Sequence, residues 1–206
     1  MRLRSAALLL IALLGGCASL PDSRPTDPAA VDAAWTERQQ QLAGLPGFQL
    51  NGRVAIKGGG LSGALRWRQE GETFDLRIAG PFGAGALSMQ GTPANVAIKG
   101  KDIDLVTSEP RQVLAARTGW RLPLDALRWW VLGLPAPLSD EAEAARIVLD
   151  AEGRPERIQQ GDWTLRYSDY RSETMPAMPY RIEAVQPTAS GEWMATVIIE
   201  AMVLSP

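Results

Sequence analysis

The sequence predicts a mainly β fold with α-helices, in which a long antiparallel meander is interrupted near its middle by helices. Apolar and polar residues alternate with a period of two from Phe48 onward. Glycine, proline and asparagine mark turns at short intervals between the alternating segments. The chain has 206 residues, of which 46% are hydrophobic and 21% are charged, which suits one globular domain plus a targeting segment.

The strands are predicted from this alternation, which is clearest at 48–57, 61–68 and 74–78. Shorter segments with the same pattern follow at 87–89, 96–98, 103–105, 147–149, 163–167, 180–182 and 193–199. We therefore expect about ten or eleven antiparallel strands that share one apolar face. Because so long a sheet rarely stays flat, it should curl, close on itself or be covered by other elements.

Helices are predicted where the period changes to 3.6 residues. The first helix is placed at 28–43, because Asp27 is suited to its N-cap and Gly44 to its end. Two further helices are placed near the middle of the chain, at 109–118 and 124–132. One face of the first helix is weakly apolar and consists of Val31, Trp35, Gln39 and Leu42. Because this face is only weakly apolar, we expect the helix to pack on the outside of the domain.

The composition argues against several classes of function. The chain has no histidine, which removes the commonest general base and the commonest metal ligand. Cys17 is the one cysteine, so that neither an internal disulfide nor a cysteine-based zinc site can form, and no metal is expected. The net charge is −2 without a run of basic residues, so we expect no nucleic-acid partner. No recognisable acid–base context surrounds the acidic residues Asp140, Glu141, Glu143 and Asp150.

The N-terminal residues have the pattern of a secretion signal. Two arginines precede an apolar run at 6–14, which is too short to cross a bilayer, since that takes ~20 residues. The segment 14–17, Leu-Gly-Gly-Cys, resembles the lipobox of bacterial lipoproteins, which implies that Cys17 is triacylated and becomes the mature N-terminus. The alternative is an ordinary signal followed by a free or buried cysteine.

We therefore divide the chain into a signal peptide at 1–16, a lipidated N-terminus and tether at 17–27, and a single domain at 28–206. The tether is polar and rich in proline. Ala18 follows the cysteine, where an aspartate is the usual signal for retention in the inner membrane. The absence of an aspartate at this position favours an anchor in the outer membrane, with the domain facing the periplasm.

One loop stands apart from the meander. Residues 80–85 read Gly-Pro-Phe-Gly-Ala-Gly, so that Phe82, between Pro81 and Gly83, has few neighbours that could bury it. One hypothesis is that this apolar tip inserts into a membrane. The other is that Phe82 folds back onto the sheet.

An ordered series of short segments is more specific than any one of them. It begins with Trp35 and ends near residue 200, and its most specific part is the segment 118–135, Thr-Gly-Trp-Arg-Leu-Pro-Leu-Asp-Ala-Leu-Arg-Trp-Trp-Val-Leu-Gly-Leu-Pro. The other segments are 51–55, 65–69, 76–83, 160–163, Tyr167 and 178–179. This series resembles the LolB family of lipoprotein receptors. The chain departs from the family at Met202, where an aromatic residue is usual, and we expect this to change local packing only.

The resemblance implies an unclosed, strongly curved antiparallel β-sheet with helices over its concave face, and an apolar cavity between them. It implies that the chain accepts triacylated lipoproteins from the periplasmic carrier LolA and inserts them into the outer membrane, as a monomer and without any cofactor. The family carries an apolar residue at the position of Phe82 that helps to deliver cargo to the lipid bilayer. An enzyme, or a lipid-anchored envelope scaffold without acyl-chain transfer activity, is the alternative.

Acyl chains need a dry pocket of aromatic and flexible aliphatic side chains. The candidates for this cavity lie on the apolar phase of the predicted strands and on the last helix, and they are Leu65, Trp67, Leu76, Ile78, Leu87, Met89, Leu127 and Trp130. The alternative is that they form an ordinary core. Four arginines on the polar phase form either a solvated face or part of a docking surface for the carrier, and they are Arg53, Arg66, Arg68 and Arg77.

Overall fold

The computed structural model describes residues 27–57, 61–80, 86–118, 122–137, 144–188 and 191–205. Within these residues it contains three α-helices and one antiparallel sheet of eleven strands, which confirms the predicted fold class. The signal, the lipobox with Cys17, and the loop residues Pro81, Phe82 and Gly83 lie outside the described residues. No described helix has both the length and the apolar character needed to cross a bilayer.

The strands fall into two groups on either side of the helical insertion. The first group is β1 Gly47–Lys57, β2 Leu61–Glu70, β3 Thr73–Ala79, β4 Leu87–Thr92, β5 Asn95–Gly100 and β6 Ile103–Thr107. The second group is β7 Arg146–Leu149, β8 Pro155–Gln160, β9 Trp163–Arg171, β10 Met178–Thr188 and β11 Gly191–Ser205. The helices are α1 Pro28–Ala43, α2 Pro110–Thr118 and α3 Leu124–Val131.

The order of the strands brings distant parts of the chain together. Along the sheet it runs β6-β5-β4-β3-β2-β1-β11-β10-β9-β8-β7, so that the first and last strands pair in the middle. Phe48 lies opposite Leu204, and Leu50 lies opposite the buried Met202. The chain leaves one edge at β6 and re-enters at the other edge with β7, and the two helices α2 and α3 span the sequence between these edges.

The sheet is curved around a single apolar interior. Side chains from seven strands and from α3 line the same cavity, which requires the sheet to wrap around it. The edge strands β6 and β7 do not pair with each other, so the sheet is unclosed in the described part of the chain. The pairing of β1 with β11 also shifts register between Asn51 and Gly52, a β-bulge of the kind that bends a strand.

The first helix packs through the predicted face and, in addition, through one charged side chain. Its N-terminus follows the prediction, because the Asp27 carboxylate accepts a hydrogen bond of 3.0 Å from the Ala29 amide. On the predicted face Leu42 is buried and Trp35 is half-buried against the core, and the charged Arg38 is buried beside them. A period of apolar residues cannot reveal a buried arginine, because its burial depends on carbonyl oxygens that other segments supply.

Candidate functional site

The most prominent candidate site is an apolar cavity of about 120 Å³ between the concave face of the sheet and α3. Among the described residues its wall combines aliphatic and aromatic side chains with one thioether, and their only side-chain nitrogen atoms belong to indole N–H groups. The sheet contributes Val54, Ile56, Leu65, Trp67, Leu76, Ile78, Leu87, Met89, Trp163, Leu165, Ile182, Ala184, Trp193, Ala195 and Val197. Leu122 and the α3 residues Leu127, Trp130 and Val131 complete the wall. Such a lining suits hydrocarbon and offers nothing to an ion.

The strand pattern of the sequence places these residues. In β2 and β3 every second side chain is buried, so that Leu65, Trp67, Leu76 and Ile78 point to the concave side. The ring of Trp67 packs edge-on against Phe48 at 5.1 Å, and its indole Nε1 donates a hydrogen bond of 3.0 Å to the Gln69 side chain. The one polar atom that Trp67 brings to the wall is therefore satisfied inside the protein.

Helix α3 forms the other wall because it is strongly amphipathic. Leu124, Trp130 and Val131 are buried against the sheet, whereas Asp125 is exposed and Arg128 is half-buried. Gly133 follows the helix with φ +72°, a left-handed conformation that glycine adopts without strain. The chain can therefore turn away immediately after the helix.

Three aromatic rings join α3 to the second half of the sheet. The rings of Trp130 and Trp163 are 5.4 Å apart and tilted, and those of Trp163 and Trp193 are 5.2 Å apart and nearly perpendicular. Offset and edge-on pairs of this kind add roughly 0.5–1.5 kcal/mol each beyond the burial of their area. This cluster fixes the position of α3 over the sheet.

The C-terminal end of α3 is held by buried polar side chains. Gln160 accepts hydrogen bonds of 3.0 Å from the Trp130 indole and from the Ala136 amide, and it donates one of 2.9 Å to the Ala136 carbonyl. The Tyr167 hydroxyl donates a bond of 3.0 Å to the Trp130 carbonyl. Because each group has a partner, burial of these polar atoms is not penalised.

Arg38 connects α1 to the same end of α3. Its guanidinium donates to the Ala177 carbonyl at 2.6 Å and to the Leu132 carbonyl at 3.2 Å, and it lies 5.5 Å from the Tyr170 ring centre. Burial lowers the pKa of this guanidinium from its usual value, mainly through loss of hydration. Burial also raises the pKa of the Tyr167 phenol well above its usual range, so that this hydroxyl remains a donor.

All eight residues predicted for the cavity lie along its wall, and their contact with acyl chains stays a prediction. The other half of the wall, on β9 to β11, is not among the predicted cavity residues, although Trp163 and Trp193 lie on the apolar phase of those strands. The same alternation could have identified them. Cys17 and Phe82 cannot be placed, because both lie outside the described residues.

The four arginines of the polar phase are on the outside of the sheet. Three of them form exposed ion pairs, Arg53 with Glu200, Arg68 with Glu70 and Arg77 with Asp75, at 2.6–2.8 Å. For Arg66 the structure shows no ion pair with any described residue. Exposed ion pairs of this kind contribute little to stability. The arrangement therefore favours the first of the two hypotheses for these arginines, a solvated face.

The comparisons with known proteins assign the family. Residues 46–199 match the family model described as "Outer membrane lipoprotein LolB". The chain belongs to the LolB family. Among proteins named outer-membrane lipoprotein LolB, that of Pseudomonas savastanoi pv. phaseolicola is 36% identical over 178 residues, covering 84% of both chains. That of Nitrosococcus oceani is 35% identical over 181 residues, covering 86% of this chain and 88% of the relative.

A solved structure also resembles this one. A LolA superfamily protein from Nitrosomonas europaea aligns with a TM-score of 0.52 and 12% identity, covering 86% of this chain and 94% of that one. At this identity the likeness concerns the fold, and it supports the unclosed sheet with covering helices.

Membership of the LolB family gives the chain its general role. It is an outer-membrane lipoprotein that faces the periplasm, receives lipoproteins from LolA and inserts them into the outer membrane. It is a receptor and not an enzyme. Interaction with LolA and with lipoprotein cargo follows from the same membership.

Proposed function

We propose that the apolar cavity between α3 and the sheet holds the acyl chains of a lipoprotein in transit from LolA to the outer membrane. The observation that carries the proposal is the wall itself, which is hydrocarbon, thioether and indole throughout. Each methylene that moves from water into such a wall gains ~0.8 kcal/mol. An occupied cavity therefore stabilises acyl chains that would otherwise aggregate in water.

Loading requires the cavity to expand. Its volume of about 120 Å³ is close to the ~150 Å³ that admits a benzene molecule, and it is too small for a complete acyl chain. The side chains best suited to yield are the unbranched Met89 and the leucines of the wall, together with α3 as a whole. We infer that the structure represents the receptor before it takes up cargo.

Transfer without a nucleotide must run towards tighter binding. Each tenfold preference of the receptor over LolA needs about 1.4 kcal/mol, which is the burial of one or two additional methylenes. The bilayer then has to bind the chains more strongly than the cavity does.

A triacylated Cys17 would keep the receptor at that bilayer, since two lipid chains already give stable anchoring. The tip Pro81, Phe82 and Gly83 would enter its surface, and the receptor would act as a monomer.

The test measures the rate at which a radiolabelled lipoprotein moves from LolA to the full lipidated chain in nanodiscs. This rate is compared between wild type and Ala184→Trp. Ala184 is half-buried on the wall, so that an indole there fills the cavity. We expect the transfer rate to fall at least about tenfold while the melting temperature stays near that of wild type.

The matched control is Ala97→Trp, at an exposed position of β5 away from the wall, and it should transfer cargo normally. Equal transfer by Ala184→Trp and wild type would contradict the proposal. Binding of LolA with no movement of cargo in the wild type would support the scaffold alternative instead.

A further inference from the structure

A second pocket, of about 360 Å³, adjoins the apolar cavity and differs from it in chemistry. The two pockets share Trp67, Leu76 and Leu127, so that these side chains form the boundary between them. Beyond this boundary the wall contains polar and charged groups, which are Gln69, Glu72, Asp125 and Arg128. An amphiphilic ligand that places its chains in the first pocket would therefore place its polar end in the second.

Arg128 is the only cation among the described residues that line this second pocket. Its Nη1 donates a hydrogen bond of 2.7 Å to the Gly71 carbonyl in the turn between β2 and β3, and its guanidinium lies 4.8 Å from the Trp129 ring centre. Its Nε is shielded from solvent and has no hydrogen-bond partner. The structure also shows no hydrogen bond from the Arg128 Nη2 to a described residue, so that the guanidinium keeps a donor for an acceptor on a ligand in the pocket.

The guanidinium charge is also left without a carboxylate partner in the described part of the chain. Asp125, one turn earlier on α3, pairs with Arg111 at 3.0 Å, and the structure shows no ion pair between Arg128 and Glu72. Since Arg111 neutralises Asp125, the charges that remain at the pocket are those of Arg128 and Glu72, and they balance. The pocket therefore has no excess positive charge to attract an anion, and its unpaired guanidinium suits a neutral group that accepts hydrogen bonds.

We propose that this pocket is a subsite for the head of the cargo, and that Arg128 binds the ester and amide carbonyl oxygens of its acylated N-terminal cysteine. Such a cysteine is neutral, its three chains end in two ester carbonyls and one amide carbonyl, and these acceptors come directly after the hydrocarbon. With the chains in the apolar cavity, the carbonyls lie at the boundary formed by Trp67 and Leu127. The proposal rests on the proposed function and names the part of the cargo that is recognised besides its chains.

The same diacylglyceryl esters occur in phospholipids, and the experiment separates these two sources. The full lipidated chain is held in phosphatidylcholine nanodiscs and titrated calorimetrically, with empty nanodiscs as the blank. The probes are a cysteinyl tripeptide with three six-carbon acyl chains, its analogue with ether links in place of the two esters and the amide kept, and dihexanoylphosphatidylglycerol.

For the wild type we expect the ester-linked peptide to bind about tenfold more tightly than its ether-linked analogue, the effect of one hydrogen bond to a charged donor. Arg128→Gln should remove this preference and leave the affinity for the ether-linked peptide within about twofold. Arg157→Gln, at an exposed position of β8, is the control and should retain the full preference.

Several results would overturn the subsite. Equal binding of the two peptides by wild type would do so without any variant, which keeps the proposal testable even if Arg128→Gln fails to fold. If Arg128→Gln lost the same affinity for both peptides, the role of Arg128 would be structural, namely to hold α3 on the turn at Gly71. Tighter binding of phosphatidylglycerol that depends on Arg128 would reassign the pocket to an anionic headgroup. Absence of binding of both peptides by wild type would instead refute the acyl-chain cavity itself.

Discussion

Trp130 donates its indole N–H to the side-chain oxygen of Gln160 across 3.0 Å, and this buried bond joins α3 to β8. The first turn of α3 has a weaker attachment, since beyond its apolar contacts it is held by the exposed ion pair of Asp125 with Arg111 of α2 at 3.0 Å. The helix is therefore fixed at one end and more easily displaced at the other. A movement that enlarges the cavity would pivot near Gly133, where the backbone has φ +72°.

Replacement of Gln160 tests this attachment. Gln160→Leu leaves the Trp130 indole and both polar groups of the Ala136 backbone without their partner, and each buried unsatisfied group costs about 1–3 kcal/mol. We expect the free energy of unfolding to fall by about 2–4 kcal/mol in urea denaturation. Gln159→Leu, exposed on the same strand, should change it by less than about 0.5 kcal/mol. Similar values for the two variants would show that the buried amide is not needed.

The bulge between β1 and β11 should not tolerate a side chain at Gly52. A Cβ there would lie 2.2 Å from the Ile198 carbonyl oxygen, so that the backbone of one strand has to move. We expect Gly52→Ala to destabilise the fold by about 1–3 kcal/mol in thermal or urea unfolding. Gly44→Ala is the control, because its nearest neighbour would be at 3.7 Å, and stability should be unchanged or slightly higher. A neutral Gly52→Ala would mean that the bulge relaxes freely.

The buried tyrosines predict how stability depends on alkaline pH. Loss of hydration raises the pKa of both the Tyr167 and the Tyr170 phenols, so that the folded state keeps protons which the unfolded chain releases near pH 10. The folded state therefore binds more protons above that pH, and the free energy of unfolding should fall as the pH rises. Urea denaturation should show a plateau below about pH 9 and a decline above it. In Tyr170→Phe the decline should be shallower, whereas equal slopes would contradict this origin.

Phe82 remains the predicted membrane tip. Phe82→Glu places a carboxylate where insertion into a bilayer is expected, and burial of that charge is unfavourable. We expect the variant to fold and to accept cargo from LolA, but to release little of it into liposomes. Val203→Glu, which replaces an exposed valine on β11, is the control and should deliver cargo at the wild-type rate. Normal delivery by Phe82→Glu would refute the role of the loop.

Much of the secondary structure could be read from local patterns. The start of α1 follows from the Asp27 cap, and the strands follow from a period of two, because these features depend on near neighbours alone. The helix also ends before Gly44 as predicted, although Gly44 has φ −83°, which any residue adopts. The eight cavity residues were likewise placed on the correct face of their strands and helix. Periodicity shows which side of a helix or strand is apolar, and the same side is buried in the folded structure.

The sequence by itself determined the alternation of the strands, the positions of the three helices and the likeness to the LolB family. Only the tertiary structure decided that β1 pairs with β11, that Trp163 and Trp193 share one cavity with Trp67, and that Arg38 is buried against the carbonyls of two distant segments. The physical reason is that strand pairing and the satisfaction of buried polar groups join residues far apart in the chain. A local pattern specifies a face, whereas the partner of that face exists only after the sheet has assembled.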